Sequence, residues 1–145
     1  MTREEVVAEA RSWVGTPYRR RGRTPSGIDC LGLLIVVARA FSVPHIDHTD
    51  YGDWPDPQRR ILREFDQRLK IMPANGRLAG GIGVFNQRAI RLPAHVGIFG
   101  EKDSVPAIIH ARIDVSEVVE EIYRPRDPLT DLRLIRLYAF PDLEL

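Results

Sequence analysis

At 145 residues the chain has the length of one domain that can bury a proper core without metal or disulfide staples, so residues 1–145 are expected to form a single unit. Its one cysteine excludes an internal disulfide and leaves the compartment open, and a formal net charge of +1 excludes a global field that would draw the chain to nucleic acid. The charged start, Met1-Thr2-Arg3-Glu4-Glu5, leads into an amphipathic pattern, so neither a signal peptide nor a membrane span is expected and any export must use another route.

Thr2 and Glu5 have the spacing of a capping box, and Val6, Val7, Ala10, Trp13 and Val14 follow on one helical face. This predicts a first helix over about 3–14, ended by Gly15. Thr16-Pro17-Tyr18 then opens a loop carrying Arg19, Arg20, Arg21 and Arg23. The plain reading is a solvated loop; the functional alternative is a rim that attracts an acidic substrate or a partner surface.

Thr24-Pro25-Ser26-Gly27 is a polar approach to Gly27-Ile28-Asp29-Cys30-Leu31-Gly32, where the only cysteine opens the most apolar run of the chain. That run continues to about Phe41 and stops at Pro44, the length of a buried helix, with Asp29 as its N-cap. Free cysteine often acts as a small buried hydrophobe. At the first turn of a helix, however, unpaired N–H groups and the positive dipole end favour a thiolate, and loop–helix junctions are where scaffolds expose reactive groups.

Residues 45–57 are rich in Asp, His, Pro and aromatics and read as a long loop. His45, Asp47 and His48 raise a metal site, but no second cluster offers the remaining ligands, so polar loop residues are the default. Pro57 fits a first helical position, with Ile61, Leu62, Phe65 and Leu69 forming the stripe of a third helix to about Lys70. From Pro73 the pattern changes to strands, expected over 82–85, 94–99, 107–111, part of 115–123, and 132–138. Turn signals lie at Gly100-Glu101-Lys102-Asp103 and Arg124-Pro125-Arg126-Asp127-Pro128. Helices first and strands afterwards is the α+β pattern, with an antiparallel sheet packed against helices on one side.

Two histidines stand within the apolar strands, His95 and His110. Consecutive antiparallel strands can set them side by side on one sheet face. If the Cys30 helix packs its N-terminus against that face, the thiol meets His95 and His95 meets His110, the nucleophile, base and orienter of a cysteine-protease-like site. The N–H of Cys30 is then the natural oxyanion donor, and the phenol of Tyr18 can supply another.

Gly15-Thr16-Pro17-Tyr18, Asp29-Cys30-Leu31-Gly32, His95-Val96-Gly97-Ile98-Phe99 and Ile109-His110-Ala111, in this order, resemble the successive motifs of the NlpC-type cell-wall cysteine peptidases, a papain-like group that cleaves peptides of bacterial peptidoglycan. The resemblance covers nearly the whole chain. It implies Cys30 as nucleophile, His95 as base, His110 as the orienting residue and Tyr18 beside the thiol, with no metal or organic cofactor. The chain departs from the pattern at Leu31, where many members have Ser, at Arg20-Arg21-Gly22, where they have an aromatic-Gly-Gly segment, and at Gly81-Ile82, where they have Gly-Asp.

The expectation is therefore a thiol hydrolase that cuts an amide bond in peptidoglycan stem peptides. The same residues also allow an amidase acting between glycan and peptide, or an acyl transferase. Compact members of this kind resemble peptidases of phage tails and gene-transfer particles. That analogy implies a protein made in the cytoplasm and acting at the wall in such a particle, with tail hub proteins as partners. A structural or adaptor protein of a tail assembly is the alternative from another class. The arginines of the 19–23 loop carry no aromatic stacking pattern, so nucleic acid is not expected as a partner.

Overall fold

The computed structural model describes residues 1–44, 59–87, 93–125 and 132–145. The chain runs α1 (Arg3–Arg11), β1 (Arg23–Thr24), β2 (Gly27–Ile28), α2 (Cys30–Ala40), α3 (Arg60–Arg68), β3 (Lys70–Met72), β4 (Ile82–Gln87), β5 (His95–Lys102), β6 (Val105–Arg112), β7 (Glu117–Ile122) and β8 (Leu132–Ala139). Six strands form one antiparallel sheet in the order β3-β8-β4-β5-β6-β7, and β1 with β2 makes a separate two-stranded hairpin. This is the expected α+β architecture.

The capping box of α1 is formed: Thr2 Oγ1 accepts from the Glu5 N–H at 3.1 Å and Glu5 Oε2 accepts from the Thr2 N–H at 2.8 Å. Val6, Val7 and Ala10 are buried as the periodicity requires. The helix stops at Arg11, three residues short of the expected end, and Val14 is exposed. The chain leaves the helix to run beside β7, entering through Gly15, whose φ of 91° suits only glycine and whose N–H binds the Val118 carbonyl.

Every residue of α2 from Cys30 to Ala38 is buried, which explains why its sequence is apolar on all sides. The helix packs on β5 and β6 and beside α1, which itself also meets β5. Its core partners are Val96 and Ile98 of β5 and Ile109 and Ala111 of β6, with Ile82, Val84, Val118 and Tyr138 on the same side. The other sheet face carries a second apolar cluster of Phe85, Phe99, Ile108, Leu132 and Leu137. Burial on both faces is why several strands read as near-continuous apolar runs instead of alternating.

Further expectations shift. The third helix spans Arg60–Arg68 rather than reaching Lys70, because Leu69 is already extended and Lys70–Met72 pairs with β8 as an edge strand too short to show a sequence period. Pro57, its expected first residue, lies outside the described residues. β5 continues through Gly100-Glu101-Lys102, and the turn to β6 is made by Asp103 and Ser104 alone, both at positive φ (50° and 64°). That is the φ pattern of the tight hairpin turn whose twist matches the strands. The polar stretch before Cys30 contains the β1–β2 hairpin, which its two-residue strands hide from any periodicity argument. Among the described residues no helix is long and apolar enough to cross a membrane.

Candidate active site

Cys30 is the first residue of α2. The Asp29 carboxylate before it accepts from the Gly32 N–H at 2.8 Å, as an N-cap should. The same carboxylate accepts from the Arg21 N–H at 2.8 Å and from Arg23 Nη1 at 3.2 Å. Asp29 is almost fully buried, so Arg23 neutralises a charge that would otherwise oppose a thiolate on the next residue. Within the arginine cluster, then, Arg23 turns inward to hold the cap, while Arg19, Arg20 and Arg21 are exposed as a solvated loop requires.

The loop is pressed closely onto α2. A Cβ on Gly32 would fall inside the contact distance of the Gly22 carbonyl oxygen, and one on Gly22 inside that of the Gly27 carbonyl oxygen. These glycines let backbone meet backbone at the point where the cysteine is presented.

The segment before the loop is strung along one end of the sheet. Tyr18 N–H binds the Ser116 carbonyl at 2.8 Å and Val118 N–H binds the Thr16 carbonyl at 2.9 Å, so residues 15–18 lie beside the start of β7. Ile28 N–H binds the Pro17 carbonyl and Arg19 N–H the Ile28 carbonyl, both at 3.0 Å. Glu117, at the start of β7, is in register with Arg112 at the end of β6. Tyr18, Ile28 and the N-terminus of α2 therefore sit at the sheet end where β6 finishes and β5 begins. His95 is the first residue of β5. The ring of Tyr18 packs against the helical side of the core.

His95 and His110 are brought together directly, with His95 Nε2 2.7 Å from His110 Nδ1 and the rings edge to face at 4.9 Å. Extending the β5–β6 register by one residue sets Gly97 opposite His110, where an added Cβ would lie 3.3 Å from that of His110. His95 is two residues along on the same face, the diagonal relation of an antiparallel pair. His110 is nearly fully buried. Its other ring nitrogen, Nε2, is 2.6 Å from Glu121 Oε1. Arg112 Nη1 lies 3.3 and 3.2 Å from the two Glu121 oxygens, and its Nη2 pairs with Asp114.

Burial, above all, holds His95 well below the ordinary imidazole range, which favours the neutral ring as a base. Glu121 is held below the usual carboxylate range, first by its bond to His110 and then by Arg112, against the opposing effect of burial.

One expectation changes. The body of α2 packs on Val96, Ile98, Ile109 and Ala111, which alternate with His95 and His110, so the imidazoles project from the opposite face beside Phe85. Any contact between Cys30 and His95 is made around the end of β5 and not across a face shared with the helix. Glu121, Arg112 and Asp114 escape the sequence reading because a Glu-Glu step in a strand looks like solvent-facing charge. Among the described residues no group of three His, Cys, Asp or Glu can hold a metal ion, and His45, Asp47 and His48 lie outside those residues.

Neither a protein-family model nor a curated protein matches the sequence. Among solved structures, the NlpC/p60 domain of the peptidoglycan hydrolase SagA is similar over 97% of this chain and 100% of its own, at 22% identity and a TM-score of 0.61. NlpC1 from Trichomonas vaginalis is similar over 95% of this chain, which spans 44% of that one, at 17% identity and a TM-score of 0.71. An N-acetylmuramoyl-L-alanine amidase from Bacteroides uniformis is similar over 97% and 99%, at 13% identity and a TM-score of 0.64. With its helices packed on one face of a six-stranded antiparallel sheet, the chain has the fold of NlpC/p60 domains.

Proposed function

We propose that the chain is a cysteine-type peptidoglycan hydrolase that cleaves an amide bond in stem peptides. The observation that carries this is the part-buried His95–His110 pair at 2.7 Å, at the sheet end to which the loop before Cys30 is bonded. The fold shared with a peptidoglycan hydrolase domain and with a muramoyl-alanine amidase supports the substrate class.

Neutral His95 takes the proton of Cys30, and the thiolate attacks the amide carbonyl. The oxyanion is met by the Cys30 N–H at the start of α2, with the Tyr18 phenol as a second donor. The imidazolium returns its proton to the leaving amine, giving a thioester. Water, deprotonated by His95, then hydrolyses the thioester and restores the thiol. His110 orients the His95 ring throughout. These steps need no metal or organic cofactor.

Purified peptidoglycan tests the reading. Wild type releases peptide fragments, whereas Cys30→Ala and His95→Ala lose at least about 10²-fold in rate while keeping the wild-type circular dichroism spectrum. Hydrolysis retained by Cys30→Ala overturns it. Mass analysis of the fragments tells an endopeptidase from an amidase, the second enzymatic reading.

A different observation favours the structural alternative: Cys30 is only 3% exposed. Its alkylation by iodoacetamide against pH decides between them. A midpoint below the value of about 8.5 for a free thiol, lost in His95→Ala, supports the enzyme; a slow reaction unaffected by His95 supports the adaptor. Action within a phage-like tail or gene-transfer particle rests on the compact motif pattern alone, and co-purification of the chain with tail hub proteins would test it.

A further inference from the structure

We infer that Glu121 is a positioning residue that fixes the tautomers of both imidazoles, so that the lone pair of His95 is left on Nδ1, away from His110. The catalytic consequence rests on the function proposed above; the assignment of protons does not.

An ionised carboxylate only accepts, so the 2.6 Å contact of Glu121 Oε1 requires a hydrogen on His110 Nε2. A neutral His110 then has its lone pair on Nδ1. That atom lies 2.7 Å from His95 Nε2, which must therefore be the donor. His95 then has no hydrogen on Nδ1, the nitrogen left to take a proton from a thiol. The reverse arrangement would aim the His110 Nε2 lone pair at a carboxylate at the same short distance, a repulsive contact in a buried place.

The surroundings hold Glu121 to this task. It is in register with Ile108, so it shares a face with Ile108 and His110, while its neighbour Glu120 turns to the helical side and pairs with Arg11 of α1. Arg112, two residues beyond His110, binds both Glu121 oxygens and is itself held by Asp114. The charged and titratable groups around His110 are thus His95, Glu121, Arg112 and Asp114, with Tyr123 at the end of β7 stacked edge-on to Phe99. Only Glu121 contacts the outer nitrogen of His110 among the described residues.

Long-range proton–nitrogen correlation spectra of the imidazole rings in the full chain test the inference directly. The expected wild-type result at neutral pH is both rings protonated on Nε2 and bare on Nδ1. Glu121→Ala is expected to give mixed or reversed tautomers, while Glu121→Gln, which keeps an acceptor oxygen, retains the wild-type pattern. On wall peptides, Glu121→Ala is expected to lower kcat by about 10- to 100-fold with KM unchanged, within the range that general-base catalysis contributes.

A wild-type His95 protonated on Nδ1, or a folded Glu121→Ala with unchanged tautomers, overturns the inference. Should Glu121→Ala fail to fold, the wild-type spectrum still decides. Should wild type cleave no wall peptide, the proposed function falls while the spectra still decide the tautomers.

Discussion

In the proposed mechanism His95 is the base, and its burial also links the stability of this protein to pH. It is kept neutral mainly by burial, and the unfolded chain, whose histidine titrates near 6.5, binds more protons below that pH than the folded one. Folding stability must therefore be fully present above pH 6.5 and decline as pH falls below it toward the lowered folded value. A series of melting temperatures from pH 7.5 to 5 should show a steeper loss in wild type than in His95→Asn. Equal slopes would mean that burial does not oppose the charge. The window lies above the ordinary range of Glu121, whose own loss begins only as pH falls past about 4.5. At this scale the sequence was informative for residue types that are rare in apolar runs: one cysteine and two strand histidines stood out. It was silent on Glu121, since neighbouring Glu120 and Glu121 serve opposite faces and only the strand's placement separates them.

At the scale of elements, α2 and its preceding loop act as one device. Asp29 caps the helix, Arg23 balances Asp29, and Gly22 and Gly32 permit the close approach that keeps the loop on the helix. Gly32→Ala forces the Gly22 carbonyl away and is expected to cost about 1–3 kcal/mol, measured as a lower urea midpoint at unchanged slope. The same variant should alter the alkylation rate of Cys30, because the displaced loop carries the chain beside it. Boundaries were the least legible feature of these elements. α1 lost its last expected turn to a pairing with β7, and α3 yielded residues 70–72 to an edge strand, both decided by partners distant in sequence.

Across the whole molecule, the sheet separates a helical layer from a second apolar cluster, and Tyr138 ties α3 to that sheet. Its ring meets Phe65 edge-on at 5.4 Å, and its hydroxyl donates to Asp66 at 2.7 Å; burial pushes the phenol up to about 12. Tyr138→Phe keeps the ring and removes the hydroxyl bonded to Asp66 and, at 3.5 Å, to the Leu62 carbonyl, so a loss of about 1 kcal/mol is expected in thermal or urea unfolding. The sequence by itself determined the α+β class, the caps of the first two helices and the five longer strands, because capping, helical period and β-branched runs are local properties. Tertiary structure alone decided which face of the sheet the histidines occupy, which of two adjacent glutamates meets them, and where the loop to Cys30 is bonded. Those outcomes depend on strand register and order, which join residues far apart in the chain and leave no local trace.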